Sequence, residues 1–165
     1  IRDADGEPTG VLIDRAMGLV SSRIPPPTAA QVKRRLELGA RECARLGLTS
    51  VHDAGVSGRE LAAYRELIRE ERFPLRVNAM IGGEGELWRE YLKNGPEIGE
   101  YLTVRSIKLF SDGALGSRGA ALWQDYTDEP GNQGLLMTTP EAVERVARAA
   151  AERGFQVCTD RKSVV

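Results

Sequence analysis

Apolar and polar positions along this chain switch repeatedly between two periods. Val32, Leu36, Ala40, Cys43 and Ala44 recur at helical spacing behind Thr28, an N-cap, and ahead of Gly47, a C-cap. "LTSVHDAG" then reads as a short strand with a polar tip. Ser57 and Glu60 form a capping box before the helix "LAAYRELIREE", which Pro74 ends. "LRVNAMI" is the next strand, "GGEGELWREYLKN" a short helix after glycines, and "VRSIKLF" the third strand. A long aperiodic segment runs from Ser111 to about Thr138. It is too long for an ordinary strand-to-helix connection and is expected to fold over the site as a loop. Thr139 and Pro140 start the helix "EAVERVARAAAERG", and "FQVCT" is the fourth strand.

Short apolar strands alternating with amphipathic helices predict an α/β fold of parallel βα units, with both sheet faces covered. Ahead of them, residues 1–10 are a turn-rich loop or hairpin, and "PPPT" is a stiff break. Polar residues His52, Asp53, Asn78, Lys108, Ser111 and Asp112 are expected at the C-terminal ends of strands. Both βα barrels and open α/β sheets place their chemistry there.

Composition narrows the function classes. A net charge of −1 over 165 residues gives no basic excess for nucleic acid, and no apolar run is long enough to cross a membrane. The two cysteines, Cys43 and Cys158, have no metal-like spacing and fit a reducing compartment, the cytoplasm. Trp88 and Trp123 read as packing residues. The opening "IRDADGEPTG" reads as the interior of a longer protein.

Lys108 is the pointed question, because a lysine inside an apolar strand needs a partner or a shifted pKa. Three functional roles suit it: Schiff-base nucleophile, phosphate anchor, or a neutral amine that takes up carbon dioxide and becomes a carbamate. An equally weighted reading is a strand-end lysine that snorkels to Asp112. The glycines of "SDGALGSRG" let backbone turn tightly near a ligand, and Arg118 suits a carboxylate or carbonyl oxygen, or a surface ion pair. His52, the single histidine, suits a base, a substrate contact or a satisfied strand residue. Asp53 suits a substrate acceptor or a solvated turn.

"GVLIDRAM", "LGLTSVHDAG", "IKLFSDGALGSRGAAL", "GNQGLL" and "GFQVCT" together resemble the amidohydrolase superfamily, in the branch called amidohydrolase family 3. That branch includes enzymes resembling N-substituted formamide deformylases. The resemblance runs from residue 1 to residue 159. It implies a partial (β/α)8 TIM-type barrel, about four of its eight βα units, open as given. It also implies a cytoplasmic metal-dependent hydrolase of non-peptide carbon–nitrogen bonds acting on a small molecule. The cofactor implied is a divalent metal, zinc, with one or two ions in the full-length parent. The branch's metal-binding His-x-His and later ligands lie outside this chain, so the chain alone is expected to be inactive. Lys108 matches the lysine that is carbamylated in related enzymes and bridges the metals. Burial would lower the pKa of its amine so that the neutral form takes up carbon dioxide. His52, Asp53, Asp112, Ser117 and Arg118 are the expected substrate-pocket residues. Two rival readings stand beside it: a Schiff-base lyase of aldolase type using Lys108, and an inactive βα fragment.

The expected organisation is an upstream segment over residues 1–27, the partial barrel over 28–159, and a non-native tail over 160–165. The resemblance calls for a histidine after Thr159, where Asp160 stands. "DRKSVV" back-translates as GAT CGG AAG AGC GTC GTG, a common short-read sequencing adapter read in frame up to its stop codon. A tail of that origin is expected to lack packing contacts.

Overall fold

The computed structural model describes residues 1–12, 14–83 and 85–162. In chain order the elements are α1 (Gly18–Ser21), α2 (Ala29–Arg45), β1 (Ser50–Val56), α3 (Gly58–Arg69), β2 (Arg76–Gly82), α4 (Glu86–Asn94), β3 (Glu97–Ile98), β4 (Leu102–Phe110), α5 (Pro140–Glu152) and β5 (Gln156–Asp160). The chain divides into two compact units.

The larger unit comprises Pro27–Ser111 and Thr138–Asp160. Its strands β1, β2, β4 and β5 are all parallel neighbours in that order, an open partial barrel of four βα units. The two-residue β3, which carries no apolar period of its own, adds antiparallel to the first half of β4. The helices start where local chemistry says they should. Thr28 and Ser57 each close a reciprocal capping box, with Gln31 and Glu60 respectively. Thr139 caps α5, with Pro140 in its first turn.

One sheet face packs against the helices. Val77, Ala79 and Ile81 of β2 and Val104, Ile107 and Leu109 of β4 join Leu61, Tyr64, Leu67, Trp88, Val146 and Ala150 in a single core. Trp88 meets Phe155 edge-on, with ring centroids 5.5 Å apart. Two irregularities interrupt the ladders, between Ala54 and Val56 against β2, and between Asn78 and Met80 against β4. In β4 the second one inserts an extra residue. Ser106 and Lys108 therefore face away from the helices although Val104 and Ile107 both face them.

The smaller unit comprises Ile1–Pro26 and Asp112–Met137, together with Arg161 and Lys162. Its first residues form the expected hairpin, bridged at Arg2 and Pro8. The long segment has its own internal order: Asp112 bridges Leu136, and the buried Tyr126 hydroxyl donates to the Ala120 carbonyl at 2.8 Å.

Candidate functional site

The sheet face opposite the core carries a graded series of side chains. His52, Asn78 and Thr103 occupy one register row, and Met80, Ser106 and Gln156 the next. Gly82, Lys108 and Cys158 follow, and Phe110 with Asp160 comes last, at the C-terminal ends of β4 and β5.

Lys108 is thus two residues from the end of β4. Its Nζ lies 3.3 Å from Asp160 Oδ2 and 4.7 Å from the centroid of the Phe110 ring. The lysine side chain is only 14% exposed. An ammonium so shielded is held by a carboxylate on one side and an aromatic face on the other. Phe110 and Cys158 were not among the residues expected at the site. Phe110 was legible two positions after Lys108 on the same strand face. Cys158 was not, because its place opposite Lys108 depends on the β4–β5 register.

Within the larger unit, the other expected residues are not gathered around Lys108. His52 and Asn78 are each third in their seven-residue strands, not at the tips, and Asn78 Nδ2 approaches His52 Nδ1 at 3.1 Å. The apolar residues after them continue the strands. The Asn78 row therefore lies four residues, about 13 Å, along β2 from the row of Gly82 and Lys108. Asp53 points to the helix side, where the buried Tyr64 hydroxyl donates to its Oδ2 at 2.7 Å. Burial, then this carboxylate, push the Tyr64 phenol well above its usual range. Ser117 Oγ donates to the Ala114 carbonyl. Arg118 is tied to Asp128 at 2.9 Å and to Glu129 at 3.3 Å, which raises its pKa. Asp112 is 1% exposed, and its carboxylate accepts from the backbone N–H groups of Ala121 and Lys162. Trp88 packs as expected, whereas Trp123 is 82% exposed.

The expected tail does make contacts over its first three residues. Asp160 ends β5, Ser111 N donates to its carbonyl at 2.9 Å, and Lys162 N donates to Asp112. These bonds use backbone groups of residues 160 and 162, which any residue but proline supplies. Residues 163–165 lie outside the described ones.

Among the described residues, no three or more His, Cys, Asp or Glu side chains are grouped to hold a metal ion. Lys108 faces Asp160 as an ion pair, and an ammonium carries no lone pair for a metal. No helix among the described residues is long and apolar enough to cross a membrane.

The model describing the amidohydrolase family matches residues 1–161. The chain is 32% identical over 164 residues to YtcJ of Bacillus subtilis (strain 168), whose name assigns it provisionally to the amidohydrolases. It is 28% identical over 169 residues to the protein LONG AFTER FAR-RED 3 of Arabidopsis thaliana. Each alignment covers 95% of this chain but only 30% and 29% of the respective relative. Two crystal structures of uncharacterized metal-dependent hydrolases share the fold, each with a TM-score of 0.79. The one from Pyrococcus horikoshii is 27% identical, covering 90% of this chain and 30% of its own. The one from Pyrococcus furiosus is 28% identical, covering 91% and 32%.

Proposed function

Because this chain belongs to the amidohydrolase family, we propose that it is the part of a metal-dependent hydrolase that carries the lysine ligand. The reaction is hydrolysis of a non-peptide carbon–nitrogen bond in a small molecule, by water activated at a divalent metal, zinc. The observation that carries the reading is the position of Lys108. It is a shielded lysine near the C-terminal end of a parallel strand, on the face away from the helices, with residue 160 of the adjacent strand 3.3 Å away.

Lys108 acts as a carbamate. Its deprotonated amine attacks carbon dioxide, one N–C bond forms, and one proton leaves to solvent. The product is an anion whose two oxygens reach beyond the end of the lysine. When bound, the metal supplies Lewis acidity that makes water a nucleophile near neutral pH. Phe110 walls one side of the lysine and keeps water from it. His52, Ser117 and Arg118 are the proposed substrate-side groups. Arg118 becomes available to a substrate oxygen only by leaving Asp128 and Glu129. The unpaired Cys43 and Cys158 fit the cytoplasm as its compartment.

The test is carbamate detection. Protein equilibrated with 13C-bicarbonate and zinc should show one carbamate carbon signal that is lost in Lys108→Ala. In the full-length enzyme, activity lost in Lys108→Ala should return with a short carboxylic acid that replaces the missing anion. Trapping of substrate on Lys108 by borohydride, with indifference to chelators, would overturn this reading in favour of a Schiff-base lyase.

A further inference from the structure

Low on the sheet, the face away from the helices carries mostly polar side chains, where a packed barrel interior is dominated by branched apolar ones. Asn78, Thr103, Ser106 and Gln156 line a pocket of about 360 Å3 there, together with Arg105 and Gly154. All of them belong to the larger unit.

The polar groups of this pocket are short of partners. Ser106 is 2% exposed, yet its hydroxyl makes no hydrogen bond among the described residues, and neither do the side chains of Thr103 and Gln156. One end of the Asn78 amide meets His52 Nδ1 at 3.1 Å. The oxygen at its other end is buried and has no hydrogen-bond partner among the described residues. Buried polar groups left in this state are costly unless a bound molecule answers them.

Arg105 sets the sign of that molecule. It sits at the irregularity that adds a residue to β4 opposite β2. Its Nε donates to the Gly154 carbonyl at 3.0 Å, which orients the guanidinium and leaves the two terminal nitrogens for another acceptor. Among the described residues it has no ion-pair partner, and no Asp or Glu lines the pocket. A guanidinium fork beside hydroxyls and carboxamides, with no counter-charge, matches a planar oxyanion. The Asn78 amide completes the set. The 3.1 Å contact with His52 is satisfied in either sense of the amide. With the ring proton on Nδ1, Asn78 accepts through its oxygen and turns its NH2 into the pocket as a donor.

We propose that this pocket binds a small carboxylate, held by the terminal nitrogens of Arg105, the Ser106 hydroxyl and the Asn78 amide. The site is separate from Lys108, whose row lies four residues further along β2, and uses none of the chemistry proposed for that lysine.

The test is nuclear magnetic resonance of the 165-residue chain without metal, in which His52 is the single histidine and gives one pair of ring nitrogen signals. Acetate, titrated against chloride at equal ionic strength, should bind with a dissociation constant on the order of 1 mM. It should move the ring proton of His52 toward Nδ1 and shift the Asn78 carboxamide signals. Arg105→Gln and Ser106→Ala should each weaken acetate about tenfold. Ser106→Ala removes one hydroxyl only, so it decides the matter if Arg105→Gln disturbs the start of β5. Lys108→Met should leave the affinity unchanged, and inorganic phosphate, tetrahedral and more highly charged, should bind more weakly than acetate. A response to acetate no larger than that to chloride would overturn the proposal. So would wild-type affinity in Ser106→Ala, loss of binding in Lys108→Met, or tighter binding of phosphate. Acetate binding with the His52 ring proton unmoved would remove Asn78 from the site. None of these readouts involves carbamate or metal, so failure here and failure of the Lys108 reading are separate results.

Discussion

Lys108 Nζ and Asp160 Oδ2 lie 3.3 Å apart on adjacent parallel strands, with the two side chains 14% and 27% exposed. The register sets this relationship: Lys108 pairs with Cys158 and Phe110 with Asp160, so residue 160 stands one row beyond the lysine on the same face. An aspartate there pairs with the lysine. A histidine there would put an imidazole nitrogen beside the oxygens of the proposed Lys108 carbamate. Asp160→His is therefore expected to raise the zinc affinity of this chain about tenfold, or about 1.4 kcal/mol. Calorimetry checks it, and Lys108→Met should cancel the gain. An equal gain in both backgrounds would show that the two positions do not share an ion.

The helices were legible because their signals are local. Thr28, Ser57 and Thr139 announce themselves by residues three positions or fewer away, and each caps a helix in the structure. The parallel order followed from alternation of strands and helices. The depth of a residue along the sheet was not legible. It depends on where a strand ends and on ladder irregularities, which arise from pairing between distant segments. Hence His52 and Asn78 sit lower than their polarity suggested, and the irregularity between Asn78 and Met80 sets which β4 residues share the Lys108 face. Asp53 and Asp112 look like site residues in sequence because a carboxylate beside a strand end is the same letter whether it meets a substrate, a tyrosine or a backbone amide.

Tyr64 and Asp53 provide a second test. Tyr64 is 3% exposed, and its hydroxyl gives Asp53 a charge-assisted bond of 2.7 Å. Tyr64→Phe keeps the ring against Phe73, 5.1 Å between centroids, and removes only that bond. The expected cost is about 1–3 kcal/mol, because a partly buried carboxylate loses its donor. Urea denaturation should show the lower midpoint with an unchanged slope. Asp53→Asn in the Tyr64→Phe background should then cost much less than in the wild type.

The origin of residues 160–165 is open to direct test. The backbone bonds made by residues 160 and 162 are indifferent to their side chains, whereas the Asp160 carboxylate pairs with Lys108. The codon match to a sequencing adapter motivates the expectation that genomic DNA carries a histidine codon after Thr159. Amplification and resequencing across that position checks it. Genomic DNA that encodes "DRKSVV" there would refute it.

Glu37 should make the larger unit acid-sensitive. Its side chain is 2% exposed on α2, and Arg72, from the turn before β2, reaches it at 2.8 Å, with Arg41 also at 2.8 Å and Arg34 at 3.8 Å. The hydrogen bond from Arg72, aided by the charges of Arg72, Arg41 and Arg34, holds the carboxyl below its ordinary value of 4.5, against the opposing effect of burial. A carboxyl whose pKa is lower folded than unfolded binds fewer protons in the folded state. Its stabilisation is therefore fully present above the unfolded value and is lost as pH falls from there through the folded value. The chain should lose stability on acidification below about pH 4.5. In Glu37→Gln that part of the slope should be missing, and the protein should already be less stable at neutral pH, where the arginines have lost their anion. Circular dichroism through urea at pH 7 and pH 4 separates the two: a wild type and variant that differ equally at both pH values would show that Glu37 is held by packing and not by its charge.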